Sequence, residues 1–267
     1  MALYVERTDI TSNARVKEYP CSLVLQVANA PIFREAGYEP RQRTYDVPPK
    51  GKAKDRKRSI DSSRYRAKTA VHDIALCNSF THFFTWTISP ECIDRYDAAA
   101  VEKKTVQFLK NASYRKGFSY VIVPELHKDG AIHLHGLCTL GDVKIVRAIN
   151  PHTAEPITYH GRPVFNMPDW KLGFTTCSPI DENYERACNY VTKYINKSDG
   201  KIFGKWYFAS RNLVKRPPIS LIPYGMDFDE FTNQNPDIPI VPVYCDVRMA
   251  IISTPRQQQE VVKLDPW

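Results

Sequence analysis

The spacing of apolar residues divides the chain into parts of different character. Over residues 1–59 no period holds. Pro40, Pro48 and Pro49, with the charged run PPKGKAKDRKRS (48–59), predict an irregular arm with short ordered pieces. From about residue 61, Ala67, Val71, Ile74 and Ala75 recur at helical spacing, with Asp61 or Ser62 as N-cap and Asn78 as stop. HFFTWTI (82–88) is dense in aromatic and β-branched residues and reads as a strand. Asp97 then caps a second helix, whose stripe holds Val101, Thr105, Phe108, Leu109 and Ala112. FSYVIVPE (118–125) and AIHLHGLCTL (131–140) are further strands, with Pro124 at an edge or a bulge. DVKIVRAI (142–149) has the pattern of a short amphipathic helix. Strands are predicted around PVFN (163–166) and GFTTC (173–177), and 182–198 is helical. Beyond about 205 the chain is proline-rich and predicts an extended segment.

This order is strand, helix, strand, strand, helix, strand, and then a further helix. It is the split βαβ arrangement. The expected fold is α+β: an antiparallel sheet of RRM/ferredoxin-like type with helices on one face, and the helix 182–198 near the open face. The expected divisions are a basic irregular N-terminal arm (1–59), a core domain (60–205) and an extended C-terminal segment (206–267).

Composition permits a buried core, with 43% hydrophobic and 25% charged residues. No run of about 18 apolar residues exists, so no membrane span is expected. The opening MALYVERTDITSN lacks the basic-then-apolar pattern of a secretion signal, and a cytoplasmic protein is expected. The seven cysteines are scattered without a C-x-x-C, which excludes a zinc ribbon or a redox motif and predicts reduced thiols. The net charge of +8 is regional: residues 1–70 carry 15 Lys/Arg against 8 Asp/Glu. Such a stretch is either a solvated linker or an arm that neutralises phosphates.

Two short patterns carry chemistry. In PELHKDGAIHLHGL (124–137), His133 and His135 share one face of a strand because side chains alternate. The KDG stretch (128–130) fits a three-residue hairpin loop with Gly130 left-handed. That register pairs Glu125 with His133, on the face shared by His135. Two imidazoles and one carboxylate suit a divalent ion such as Mg²⁺ or Mn²⁺ with open positions. A two-residue loop would instead turn Glu125 to the other face, and His127 is a rival third ligand. The alternative is a pair of surface histidines without a metal.

The second pattern is YVTKYINK (190–197), a four-residue unit written twice. One helical turn places Tyr190 and Tyr194 nearly one above the other, with Lys193 and Lys197 in an adjacent stripe. A phenol with a pKa near 10 is a poor nucleophile at neutral pH, and a nearby ammonium favours the phenolate or neutralises a phosphate. The bland reading is an aromatic pair packed on a helix face.

Together these residues resemble the HUH endonuclease superfamily. FFTWTIS (83–89) resembles its first motif, usually F-x-T-L-T, with Trp86 where leucine is more usual. HLH (133–135), followed by Gly136, is similar to the second, and YVTKYINK to the third in its two-tyrosine form. The resemblance covers about 80–200 and is nearest to rolling-circle replication initiators of small single-stranded DNA phages and related plasmids. It implies that Glu125, His133 and His135 hold the ion against a scissile phosphate. One of Tyr190 and Tyr194 would attack single-stranded origin DNA and stay joined to its 5′ phosphate, with Lys193 and Lys197 in support. The second tyrosine would resolve the displaced strand. The setting implied is a bacterial host's cytoplasm, and the partners are a host polymerase and a host helicase. No G-x-x-x-x-G-K-[ST] occurs, so strand separation is not encoded here.

The rivals are a transposase or mobilisation relaxase of the same superfamily, a metal-dependent hydrolase of a small phosphoester, and a non-catalytic RRM-like module. The last would stack bases on sheet aromatics such as Phe83, Phe118 and Tyr120. In the arm, Tyr45 and Tyr65 are further aromatics, with core packing expected for Tyr65.

Overall fold

A computed structural model describes residues 11–34, 49, 52–180, 183–222, 226, 227, 229, 233, 234, 236, 241–245 and 249–255. The chain forms two compact units, residues 48–216 and the two chain ends, 1–47 with 217–267.

In the unit of the chain ends, the strands are β1 (Thr11–Ser12), β2 (Ala14–Glu18), β3 (Ser22–Ala28), β4 (Phe33–Arg34), β14 (Ile219–Leu221), β15 (Val241–Cys245) and β16 (Met249–Pro255). β1 pairs with β4, and the rest form an antiparallel sheet in the order β14-β2-β3-β16-β15. Ala14, Leu25 and Val27 bury a small core there. Residues 11–34 are therefore stranded, not part of an irregular arm, and three stretches after 217 are strands as well. The partners of β2 and β3 stand some two hundred residues away in sequence, so no local window could show the pairing. Tyr45 and the rest of the basic run before Pro49 lie outside the described residues.

The central unit contains α1 (Arg56–Cys77), β5 (His82–Ile88), α2 (Ala98–Lys116), β6 (Ser119–Leu126) and β7 (Ile132–Thr139). There follow β8 (Val146–Arg147), β9 (Thr158–Tyr159), β10 (Arg162–Pro163), β11 (Phe165–Asn166), β12 (Gly173–Pro179), α3 (Tyr184–Lys197) and β13 (Phe208–Ala209). Seven strands form one antiparallel sheet in the order β13-β6-β7-β5-β12-β11-β8. The α+β class and the sheet type are as the sequence predicts.

Two local predictions are corrected. α1 begins at Arg56, because the side chain of Asp55 accepts from Arg58 N and so caps the helix before Asp61 can. The basic run after it is made of good helix formers and becomes the first turns, and Tyr65 is exposed there. Residues 142–149 are not helical. Val143 and Ala148 are buried, but Val146 and Ile149 are exposed, so the apolar positions share no buried face, and β8 pairs with β11 instead.

Alternation gives the sheet two unlike faces. One face presents Phe84, Trp86, Ile88, Ile122, Leu134 and Cys138 to Val101, Leu109 and Ala112 of α2. Asp97 caps α2 through Ala99 N and Ala100 N, and Gly117 ends it at φ 65°. Trp86 is fully buried: it stacks on Trp170 at 4.2 Å and donates Nε1–H to Met167 Sδ at 3.3 Å. The other face carries α3 over β6 and β7, with α1 packed on α3. The Tyr184 hydroxyl of α3 donates to the Ala75 carbonyl of α1 at 2.7 Å, and Arg64 donates to the Ser198 carbonyl at 3.1 Å. α1 therefore shares its main contacts with the tyrosine helix and not with α2.

Gly136 lies under the Phe84 ring, where a Cβ would meet Val121 O at 2.6 Å and Phe84 Cζ at 2.7 Å. Gly136→Ala is expected to destabilise the chain by about 1–3 kcal/mol, since neither the strand nor the buried ring can yield. Urea unfolding followed by circular dichroism measures it; a midpoint equal to the parent's would contradict this packing.

Candidate active site

The site begins with the turn between β6 and β7. Gly130 adopts φ 87°, and His127 N donates to Ala131 O at 2.8 Å. Asp129 braces the loop: its Oδ1 accepts from Ala131 N at 3.0 Å and its Oδ2 from Arg95 at 2.9 Å. The Ala131 N–H, then His127 and Arg95, hold the Asp129 carboxyl below its usual range. This three-residue turn sets Glu125 opposite His133 in the ladder, the register expected from the sequence. Three rows then cross the face under α3: Glu125–His133–Thr87–Phe174, Val123–His135–Thr85–Thr176 and Val121–Leu137–Phe83–Ser178.

Glu125, His135 and Lys197 are in direct contact. Lys197 Nζ donates to Glu125 Oε1 at 2.8 Å. His135 Nε2 lies 2.6 Å from Glu125 Oε2, yet it is buried without a hydrogen-bond partner, because the contact is out of line for an N–H···O bond. His135 Nδ1 and Thr85 Oγ1 are hydrogen-bonded at 3.1 Å. Burial lowers the His135 imidazole to about 4 against the pull of Glu125, so the ring is neutral at pH 7 with only one N–H. With that proton on Nδ1, a nitrogen lone pair and a carboxylate lone pair face each other. Such a buried, unpartnered donor pair has the chemistry of a cation site.

His133 shares the face but is turned aside. Its ring centroid lies 6.3 Å from that of His135, and it stacks on His127 at 4.9 Å. His127 in turn contacts Asp129 at 3.2 Å. Burial, then the charge of His127, lowers the His133 imidazole. Among the described residues, no three His, Cys, Asp or Glu side chains stand together as a ready metal set. Glu125 and His135 are joined, and His133 would have to swing from His127 to complete them.

The two tyrosines differ. Tyr194 is buried, 5% exposed, and lies flat on the His135 ring at 3.7 Å and 6°. Tyr190 is 45% exposed and meets Tyr194 edge-on at 5.3 Å and Phe83 at 5.3 Å. Burial first, then the hydrogen bond with Tyr190 and the charge of Glu125, push the Tyr194 phenol well above its usual range. Lys193 Nζ stands 5.9 Å from the Tyr190 ring centre, and Lys197 Nζ stands 4.6 Å from that of Tyr194. Spacing foretold the lysine stripe but not that Lys197 would pair with Glu125. It did not show the stacking of Tyr194 on His135 either, which needs the sheet and helix together. Thr85 was read as structural; its hydroxyl orients the buried imidazole.

The aromatics that a base-stacking module would need are not on offer. Phe118 and Tyr120 are buried on the α2 face, and Phe83 is covered in part by Tyr190.

The model of a family of replication-associated proteins, described by the name ORF2, matches residues 81–199, a span that holds every residue of this cluster but less than half of the chain. The match supports a rolling-circle replication initiator. No curated protein and no solved structure matches the chain. No helix among the described residues is long and apolar enough to cross a membrane.

The burial of His135 makes stability depend on pH. Between about pH 6.5 and pH 4 the unfolded chain binds a proton that the folded site excludes. The His135 contribution to stability is therefore full above pH 6.5 and falls as pH drops, by about 2 kcal/mol between pH 7 and pH 5. Imidazole ¹⁵N shifts of the metal-free protein should show His135 neutral at pH 5; titration near 6.5 would contradict the burial.

Proposed function

We propose that this replication initiator is a nickase and strand transferase that attacks single-stranded origin DNA through a tyrosine. The observation that carries the reading is the stack of Tyr194 on His135, with Tyr190 beside it, above the joined Glu125 and Lys197. Two phenols, an orphaned imidazole nitrogen, a carboxylate and two ammonium groups are what phosphoryl transfer to tyrosine requires.

In the proposed step a phenol oxygen attacks a DNA phosphorus. A tyrosine–phosphate bond forms at the 5′ side and the bond to the 3′ oxygen breaks. The phenol proton passes to solvent and the 3′ oxygen takes one up. Glu125, His135 and a reoriented His133 would hold Mg²⁺ or Mn²⁺, which when bound withdraws charge from the scissile phosphate. Thr85 keeps the His135 nitrogen aimed at Glu125. Lys193 stands where it can stabilise a Tyr190 phenolate. Lys197 in the resting site neutralises Glu125. Tyr190, the exposed one of the two, attacks first, and Tyr194 serves the second transfer after leaving the His135 ring. The freed 3′ hydroxyl primes a host polymerase, and a host helicase opens the duplex.

The test is incubation of the full chain with labelled single strands of its own replicon, with Mn²⁺ or with EDTA, followed by a denaturing gel. A metal-dependent covalent adduct is expected. Tyr190→Phe should lower its first-turnover rate by at least about a hundredfold, Tyr194→Phe much less, and the double variant should form none. Strands bound in EDTA but never joined to the protein with Mn²⁺ would mark a binding module instead. A first adduct lost with Tyr194→Phe alone would reverse the order of the tyrosines.

A further inference from the structure

α3 covers only part of its sheet face. It packs over β6 and β7, while the half formed by β5 and β12 stays open, with Thr85 and Thr87 half-buried and Phe174 and Thr176 exposed. Phe174 is 74% exposed, and among the described residues it is the one exposed phenylalanine. It sits in the ladder opposite Thr87, which sits opposite His133. Phe174 thus projects from the face of the tyrosine cluster, two strand spacings or about 10 Å from His133. Beyond it, residues 151–162 are exposed throughout and include the hairpin of β9 and β10, whose Tyr159 is 68% exposed. Tyr159 is near enough to Tyr194 to act on its phenol electrostatically.

We infer that this open half-face is a track for single-stranded DNA, and that Phe174 is the platform on which a base next to the cleaved phosphate stacks. The inference rests on the nickase reading for its ligand and adds the base-contacting residue. Strand formation does not require an exposed phenylalanine here. Threonine fills the neighbouring outward positions Thr85, Thr87 and Thr176, and leaving a phenylalanine ring in water forgoes about 1.5–3 kcal/mol of burial. The track is of mixed character, as a single strand needs. The exposed Lys193 on α3 offers charge to phosphates, the threonine floor offers hydroxyls, and Phe174 offers a flat apolar surface to a base of any kind. Because stacking reads no base edge, Phe174 supplies affinity and position and leaves sequence choice to other groups.

Binding is tested on the full chain in EDTA, so that no strand is cut. The probes are a fluorescein-labelled 20-mer of deoxythymidine and an abasic 20-mer with the same phosphates, read by anisotropy. Phe174→Ala should weaken the thymidine strand about tenfold or more and leave the abasic strand unchanged, and Phe174→Trp should restore the difference. Circular dichroism melts check that the variants fold. Equal loss on both strands, or no loss on either, overturns the platform while leaving the nickase reading intact. Failure of the parent chain to bind either strand overturns both. Base-dependent binding through Phe174 with no covalent adduct to replicon DNA under Mn²⁺ overturns the nickase reading alone.

Discussion

Everything at the site depends on the register of one hairpin. Gly130 in the left-handed region and Asp129 braced by Ala131 N and Arg95 make the β6–β7 turn three residues long. Side chains alternate along a strand, so a slip of one residue would send Glu125 to the α2 side and bring Leu126 beside His133. The Glu125 carboxylate pairs with Lys197 and is the near neighbour of His135 Nε2. A two-residue turn would thus leave a cation and an imidazole on one face, and a buried carboxylate under aromatic rings on the other.

The sheet separates its two tasks by face. On the α2 side, Trp86, Trp170, Phe108 and Phe118 form a stacked and edge-on cluster that needs no chemistry beyond the Trp86 N–H to Met167. That cluster explains how a tryptophan is tolerated in a strand where leucine would suffice. Gly136 makes room for Phe84 between strands. The rigidity so gained serves the other face, where His135, Thr85 and Glu125 come from three adjacent strands and have little freedom to drift.

Much of this was legible in the residues. Asp97, Gly130 and Asn78 acted as the local signals said, because caps and turns are decided within a few residues. The Glu125–His133 pairing followed from turn length alone. What escaped reading was settled at long range. Residues 14–28 became strands through partners near the other chain end. The stretch 142–149 lost its helix to β11 pairing. Tyr194 found the His135 ring, and Lys197 found Glu125, only once α3 lay on the sheet. Phe174 looked like an ordinary strand residue; its exposure depends on where α3 stops.

The central sheet also ends unusually at both rims. The strands at its borders, β13 and β8, are two residues long, though β5, β6, β7 and β12 between them run to seven or eight. A long bare edge would offer a row of unmet amides to any extended chain that passed. Here each rim offers too few to template a neighbour, so copies crowded along one strand of nucleic acid could lie side by side without zipping into a common sheet.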